Sequence, residues 1–451
     1  MPGCEPLSAA DAAWLGLDSA SNRMMITGLL FLDGQVEPGD LRDLVQDRLI
    51  GTYPGFARRI VPGRTLLRRP RWCDTAPDLA HHVVHHHLGG GGGDHDLRRI
   101  VARLLSTGLD MGVAPWQLHL LTGYRPPGTG GTAPEQSVVV ARLHHSLADG
   151  MALAQVLLSL TDPSPAAPAP APASTPTGAP AVGGPARSAR ERVAAAAGAV
   201  RLGADVVTTT MRLLAAPAEP ATSLRGPLDV PKHAAWSAPR DLEAVKRAAR
   251  ALDATVNDLL LAATAGALRR HLHPARVERL RVFVPVDLRR GAPIDPRRLG
   301  NRFGLLPLLL PVGEPDLRER VRLVRDRTRR AKTSRVPPAT YLMIGLLSVL
   351  PAPLHRWVVH RLGRSVTAVV TNVPGPPEPM TLAGAGLSGV VFWVPQTASV
   401  GVGLSIFSYA GTVRVGVAAD VGLVADPQAL ADLVDDELAL LGAPAVTTPA
   451  A

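Results

Sequence analysis

Two rhythms of apolar and polar positions run through this chain, and their order sets the expected fold. Short continuous apolar runs, which read as buried strands, fall at 25–31, 137–143, 280–286, 366–371, 390–394, 401–407 and 412–417, with shorter strands near 58–61 and from 116. Between them apolar residues recur at helical spacing over 41–49, 97–105, 151–160, 187–214, 242–252, the stretch after Thr255, and 427–441. Strands separated by helices make a mixed α/β protein. A chain of 451 residues can bury two ordinary cores.

Composition marks where the two would part. From Pro163 to Pro185 the sequence is almost entirely Pro, Ala, Ser, Thr and Gly, which cannot bury enough apolar surface to fold alone. The expected organisation is therefore 1–162 as an N-terminal unit, 163–222 as a linker plus crossover helix, and 223–446 as a C-terminal unit. In the crossover helix Arg190, Arg192 and Arg201 alternate with small apolar residues. It is expected to pack on the protein, with contact to anionic lipid as the other reading.

The strongest chemical signal is His144-His145-Ser146-Leu147-Ala148-Asp149-Gly150, which joins the apolar run 137–143 to the helical pattern that starts at Met151. Side chains alternate faces as a strand ends, so only one of the two histidines is expected to face a given site while the other packs. That argues against a two-histidine metal clip. An imidazole near pKa 6.5 can take a proton from an alcohol near neutral pH. Asp149 stands at a helix N-cap, and Gly150 is expected to allow close backbone approach.

Other features bound the function. Apolar residues make up 46% of the chain and charged residues 19%, as in a folded globular protein, and the net charge is +10. With no finger spacing, no clear basic helix and few aromatics for base stacking, that charge points to phosphorylated ligands or an anionic membrane surface and not to nucleic acid. Cys4 and Cys73 are the only cysteines, and reduced thiols in a cytosolic setting are expected. No secretory signal is visible, and the longest apolar stretch, 341–354, is short and broken by Pro351 and Pro353, so any membrane association is expected to be peripheral. His81, His82, His85, His86 and His87 precede a glycine run and read as a solvated loop edge, with no metal site expected. Gly384 to Gly389 match a dinucleotide fingerprint by letters but lead into a strand, so that reading is rejected. Thr255-Val256-Asn257-Asp258 fits a capping box.

The motif His144-His145-x-x-x-Asp149-Gly150 resembles the active-site signature of the CoA-dependent acyltransferase superfamily, which includes chloramphenicol acetyltransferase and peptide-synthetase condensation domains. Ala12-Ala13-Trp14-Leu15, Asn22-Arg23-Met24-Met25, Leu299-Gly300-Asn301-Arg302-Phe303-Gly304, Thr371-Asn372-Val373-Pro374-Gly375-Pro376 and Phe392-Trp393-Val394-Pro395-Gln396 resemble, in order, the bacterial wax ester synthase/diacylglycerol acyltransferases. Where that family usually shows Pro-Leu-Trp, this chain has Ala114-Pro115-Trp116, which leaves the tryptophan a packing role.

The resemblance implies two chloramphenicol-acetyltransferase-like subdomains with mixed sheets and an active-site tunnel at their interface. It implies an O-acyltransferase that moves a long-chain acyl group from acyl-CoA, a substrate and not a cofactor, to diacylglycerol or a long-chain alcohol. His145 would be the general base, with His144 and Asp149 holding the loop, and no cofactor is expected. Arg58 or Arg59 is expected to pair with Asp149, an arginine partner being usual in the superfamily. Asn257, Asp258 and Asn372 are the substrate-binding or oxyanion candidates, the first two by an Asn-Asp pair in the resembling family, together with backbone N–H groups near Gly375. No Gly-x-Ser-x-Gly elbow is present, so Ser146 is read as structural. The expected setting is cytoplasmic, at the inner membrane face or a lipid droplet. The alternatives are a condensation-type enzyme using a carrier-protein thioester, and a non-catalytic lipid-binding or droplet protein.

Overall fold

The computed structural model describes residues 3–63, 69–89, 91–128, 134–164, 189–273, 277–289, 291–332, 334–396 and 398–440. Nearly all of the proline-rich linker, 165–188, lies outside them. The fold is mixed α/β, built on two seven-stranded sheets and a small three-stranded one. The first large sheet has the order Val83–His87, Trp116–Tyr124, Gln136–His144, Met25–Asp33, Ala385–Trp393, Met380–Leu382 and Asp162–Pro163. The second runs Arg240–Asp241, Thr412–Asp420, Val402–Tyr409, Ala368–Pro374, Leu280–Asp287 and Phe303–Leu310, with Lys232–Trp236 also paired to Thr412–Asp420.

The first sheet takes strands from both halves of the chain, whereas the second is built from the C-terminal half alone. Ala385–Trp393 runs antiparallel to Met25–Asp33, placing Trp393 opposite Thr27 and Leu387 opposite Leu32. Its alternate residues Val391 and Trp393 join Leu29, Phe31, Val138, Trp236 and Ala418 in one buried apolar cluster, so removing this strand would open the core between the sheets. Of the glycine-rich segment only Gly384 lies before it, in a two-residue hairpin turn with Ala383. Ala383 and Gly384 both have left-handed backbone (φ 49° and 79°), which matches the twist of two closely joined strands.

The helix Val256–His271 is buried on almost every side, from Leu259 to Leu268, and its one polar residue there, Thr264, donates to the Leu260 carbonyl. A helix apolar all round belongs in a core. It centres the C-terminal cluster with Val282, Leu308, Val370, Leu404 and Val434. The helix predicted over 41–49 begins earlier, at Pro38, and its last turn, Val45–Ile50, widens to π geometry.

Two expectations fail here. Cys4 and Cys73 are not free thiols but a disulfide, because the strands Cys4–Pro6 and Arg71–Asp74 pair antiparallel with the two cysteines directly opposite, Cα atoms 4.2 Å apart. The histidine cluster is not a loop edge but a helical turn, Leu79–His82, followed by an edge strand, Val83–His87. His82 is buried, stacked on Trp116 at 4.3 Å with Nδ1 2.8 Å from the Trp116 carbonyl, and His86 lies 3.1 Å from His119. Among the described residues no group of three or more His, Cys, Asp or Glu side chains converges on a metal-sized site.

Candidate active site

The inner strand Gln136–His144 carries the motif at its C-terminal end, and short backbone bonds fix the turn that follows. His145 N donates to Met24 O at 2.7 Å, and Leu147 N to His144 O at 3.0 Å. Asp149 caps the helix Gly150–Leu158 by accepting from Ala152 N at 3.0 Å. Within that frame the two imidazoles point apart. His144 is buried, its Nδ1 accepting from Ser146 N at 3.1 Å and lying 2.7 Å from Ser146 Oγ. Acceptance at Nδ1 puts the proton on Nε2, which faces Asp18 Oδ1 at 3.9 Å. Burial, with a smaller push from His145, lowers its pKa to about 3, so His144 is a neutral support near pH 7.

His145 faces a cavity of about 280 Å³ lined by residues from both halves, among them Trp14, Met24 and Met151 from one and Phe283, Phe303 and Asn372 from the other. Trp14 stacks on its ring at 4.4 Å, and Phe303 lies at 5.6 Å. Burial lowers the His145 pKa below 6.5, while the Asp149 charge, its own carbonyl and Asn301 act the other way. The ring is therefore neutral at pH 7 and able to accept a proton, in a pocket of apolar and aromatic walls.

A polar clasp holds this histidine from behind. Arg289 Nη2 donates to Asp149 Oδ2 at 2.6 Å, both side chains buried, and Arg302 N donates to the same oxygen at 2.9 Å. Arg289 is itself held by Asp287 Oδ1 at 2.9 Å and by the Gly300 carbonyl at 3.0 Å. Asn301 Nδ2 donates to the His145 carbonyl at 2.8 Å and to Asp11 Oδ1 at 2.7 Å. Thus the helix Ala9–Leu17, the histidine loop and the turn at 299–302 are joined in one network. The expectation that Arg58 or Arg59 pairs with Asp149 is corrected. Arg58 pairs with Glu5 and Asp74 in the small sheet, and Arg59 sits exposed on the same strand. The true partner lies in the turn after Leu280–Asp287, brought across by tertiary folding.

The other candidates separate. Asn372 lines the cavity, and its Nδ2 donates to Asn257 Oδ1 at 3.4 Å, which places Asn257 directly behind it. Asp258 is absorbed by structure. Its Oδ2 accepts from Thr255 N and Oγ1, completing the capping box, and its Oδ1 accepts from Thr328 Oγ1 at 2.5 Å. It lines a separate cavity of about 370 Å³ with Arg250, Arg325 and Arg329. The Gly375 N–H is not a free donor, since it bonds Ser408 O at 2.8 Å. Nor does Gly150 serve close backbone approach. A Cβ there would meet only Ile26 Cδ1 at 3.9 Å, and the bare backbone forms part of the cavity wall.

Similarity to known proteins decides the family. The family model for the wax ester synthase/diacylglycerol acyltransferase catalytic domain matches residues 7–260, and that for the WS/DGAT C-terminal domain matches residues 299–442. This chain is a member of the wax ester synthase/diacylglycerol acyltransferase family. A probable diacylglycerol O-acyltransferase of Mycobacterium tuberculosis is 29% identical over 393 residues, 83% of this chain and 82% of the relative. The wax ester synthase/diacylglycerol acyltransferase of Marinobacter aquaeolei shares the fold with a TM-score of 0.68 at 21% identity, covering 97% of this chain and 98% of that one. The first condensation domain of the calcium-dependent antibiotic synthetase does so at 0.61 and 19% identity, covering 98% and 97%. As a WS/DGAT family member the protein is an acyltransferase, and its two mixed sheets are the architecture of that fold.

Proposed function

We propose that this WS/DGAT enzyme transfers a long-chain acyl group from acyl-CoA to the hydroxyl of diacylglycerol or a long-chain alcohol, with His145 as the general base. The observation that carries this reading is the neutral, buried imidazole on an apolar cavity built from both halves of the chain. The acceptor O–H gives its proton to His145 as the oxygen attacks the thioester carbon. The tetrahedral oxyanion then collapses with cleavage of the C–S bond, and the imidazolium protonates the leaving thiolate, giving ester and free CoA. The thioester is already activated, so no cofactor is called for. The Asn372 amide, steadied by Asn257, is the side-chain donor available to the oxyanion. His144 and Asp149 fix the loop.

Stacking of Trp14 on His145 supports the transient imidazolium, because an aromatic face attracts a cation. Phosphates on the donor need cations. The arginine-lined cavity at the start of Val256–His271 supplies Arg250 and Arg329. The test is product analysis by thin-layer chromatography with palmitoyl-CoA and either diolein or hexadecanol. Triacylglycerol or wax ester from the wild type and neither from His145→Ala is the expected result. Turnover only with an acyl-carrier protein in place of palmitoyl-CoA would replace the donor assignment.

A further inference from the structure

Among the described residues nine large apolar side chains stand out in solvent, and seven of them fall in three helices and one connecting turn: Ala189–Ala215, Val336–Leu347 and Ala352–Gly363. These helices pack on one another through Leu213, Met343, Leu347, Val358 and Leu362. Their outer sides carry Val207 and Met211, Leu342 and Leu346, then Val349 and Trp357, the last 57% exposed. On Val336–Leu347 the two sides are cleanly divided. Leu342 and Leu346, one turn apart, stand on the outside, while 343, 344 and 347 are buried. Exposed apolar side chains gathered on helices that pack together are uncommon on a soluble monomer and mark an interaction site.

The charges around it choose the partner. Arg212, Arg356 and Arg364 are exposed on or at the ends of these helices. Among the described side chains of the three helices the one carboxylate is Asp205, and Arg335 holds it at 3.3 Å. Apolar side chains fringed by arginine, with the one carboxylate among the described side chains already paired, complement an anionic lipid surface, in which the chains enter the acyl boundary and the guanidinium groups meet phosphates. No single helix among the described residues is long and apolar enough to cross a membrane, so the contact is in the interface plane.

The same helix reaches the active-site cavity. Ile344, on its inner side, packs with Trp14 and Phe303, and Leu305 N donates to Thr340 Oγ1 at 2.8 Å. Close packing requires Gly304, where a Cβ would run into the Pro337 carbonyl. Phe303 and Leu305 are cavity walls, so one helix separates the exposed patch from the chamber that holds His145.

We propose that the outer surface of these three helices docks the enzyme on an anionic phospholipid bilayer, setting the cavity one helix away from the lipid that supplies the acceptor. This deepens the function proposed above and rests on it only for the identity of the acceptor. The test is flotation of the full chain with phosphatidylcholine/phosphatidylglycerol vesicles, with phosphatidylcholine vesicles and with a triolein emulsion, for wild type, Leu346→Glu, Trp357→Glu, Trp357→Ala and His145→Ala. The wild type should float with the mixed vesicles and less with phosphatidylcholine alone. Each Glu variant should lose at least about tenfold in partitioning and Trp357→Ala less, since a charge on the apolar side opposes insertion.

Turnover of palmitoyl-CoA with a short, water-soluble alcohol, unchanged in the three surface variants, reports an intact fold. Variants that float like the wild type, or a wild type that floats only with triolein, overturn the proposal. So does a dimer in sedimentation that Leu346→Glu dissolves while vesicle binding is absent, which would give the patch to a second copy. His145→Ala should float normally, so loss of turnover and loss of docking are read apart.

Discussion

Two helix starts in this molecule look alike in sequence and do different work. Asp149 caps Gly150–Leu158 beside the double histidine, and Thr255 with Asp258 caps Val256–His271 beside Asn257. Both carboxylates are buried and both accept backbone N–H bonds. What distinguishes them is where their second oxygen goes. Asp149 reaches Arg289 and Arg302 from the other half of the chain, whereas Asp258 keeps its remaining partner, Thr328, within the C-terminal core. The first cap is also the clasp that closes a cavity over His145. The second steadies a core helix whose neighbour Asn257 backs the cavity through Asn372.

The widest separation between the two regions is expected from His145→Ala, which should lower kcat by about 10³-fold with little change in stability, in line with loss of a general base. Next comes Asp149→Ala, which removes the more buried of the two carboxylates on the Arg289 guanidinium, leaving Asp287, and should destabilise the fold by about 1.5–3 kcal/mol in urea unfolding. Replacing Arg289 with Met in that background should recover part of the loss. A recovery absent there would mean that the pair does not join the halves.

Acid sharpens the comparison from another side. His144 and His119 are both held near pKa 3 by burial, against 6.5 for an ordinary histidine. Below pH 6.5 the unfolded chain takes up protons that the native fold refuses, so stability falls with pH by about 1.4 kcal/mol per unit for each histidine, down to about pH 3. The acid limb of kcat/KM should lie below 6.5, because His145 is lowered too, and Asp149→Asn should move it lower still by removing a charge that favours the imidazolium. A limb above 6.5 would contradict the burial of His145.

Smaller effects follow. Asn301→Ala removes the donor to the His145 carbonyl and should lower kcat by roughly tenfold, consistent with about 1–2 kcal/mol for a buried bond. Asp258→Ala should reduce stability by about 1–2 kcal/mol through loss of the cap and change kcat least of all.

Much of the fold was legible because strands with long apolar runs and helices with clear periodicity need no distant information. The strand at Met25, the double-histidine turn and the Asp149 cap were each readable locally. Ala385–Trp393 shows the limit, since its alternation predicts a strand but not that it crosses into the first sheet. The site was legible where one residue carries the chemistry, as His145 does, and not where a contact joins distant segments. Arg289 follows Asp149 by 140 residues, and Arg58 was an equally good cation by local pattern. Asn301 stood in a motif recognised as familiar, yet its task of holding the His145 carbonyl exists only once the turn at 299–302 folds over the loop. The cysteines were read as reduced thiols because two are too few to announce a disulfide framework, while strand pairing brings them opposite.

The central claim is most directly tested by thiol release from palmitoyl-CoA, with and without diolein or hexadecanol, for wild type, His145→Ala and Asp258→Ala side by side. The account predicts acceptor-dependent release from the wild type, near-complete loss in His145→Ala, and release within a few-fold of wild type in Asp258→Ala. Loss in Asp258→Ala with release retained in His145→Ala would contradict it, and would move the chemistry from the cavity between the halves to the second helix start.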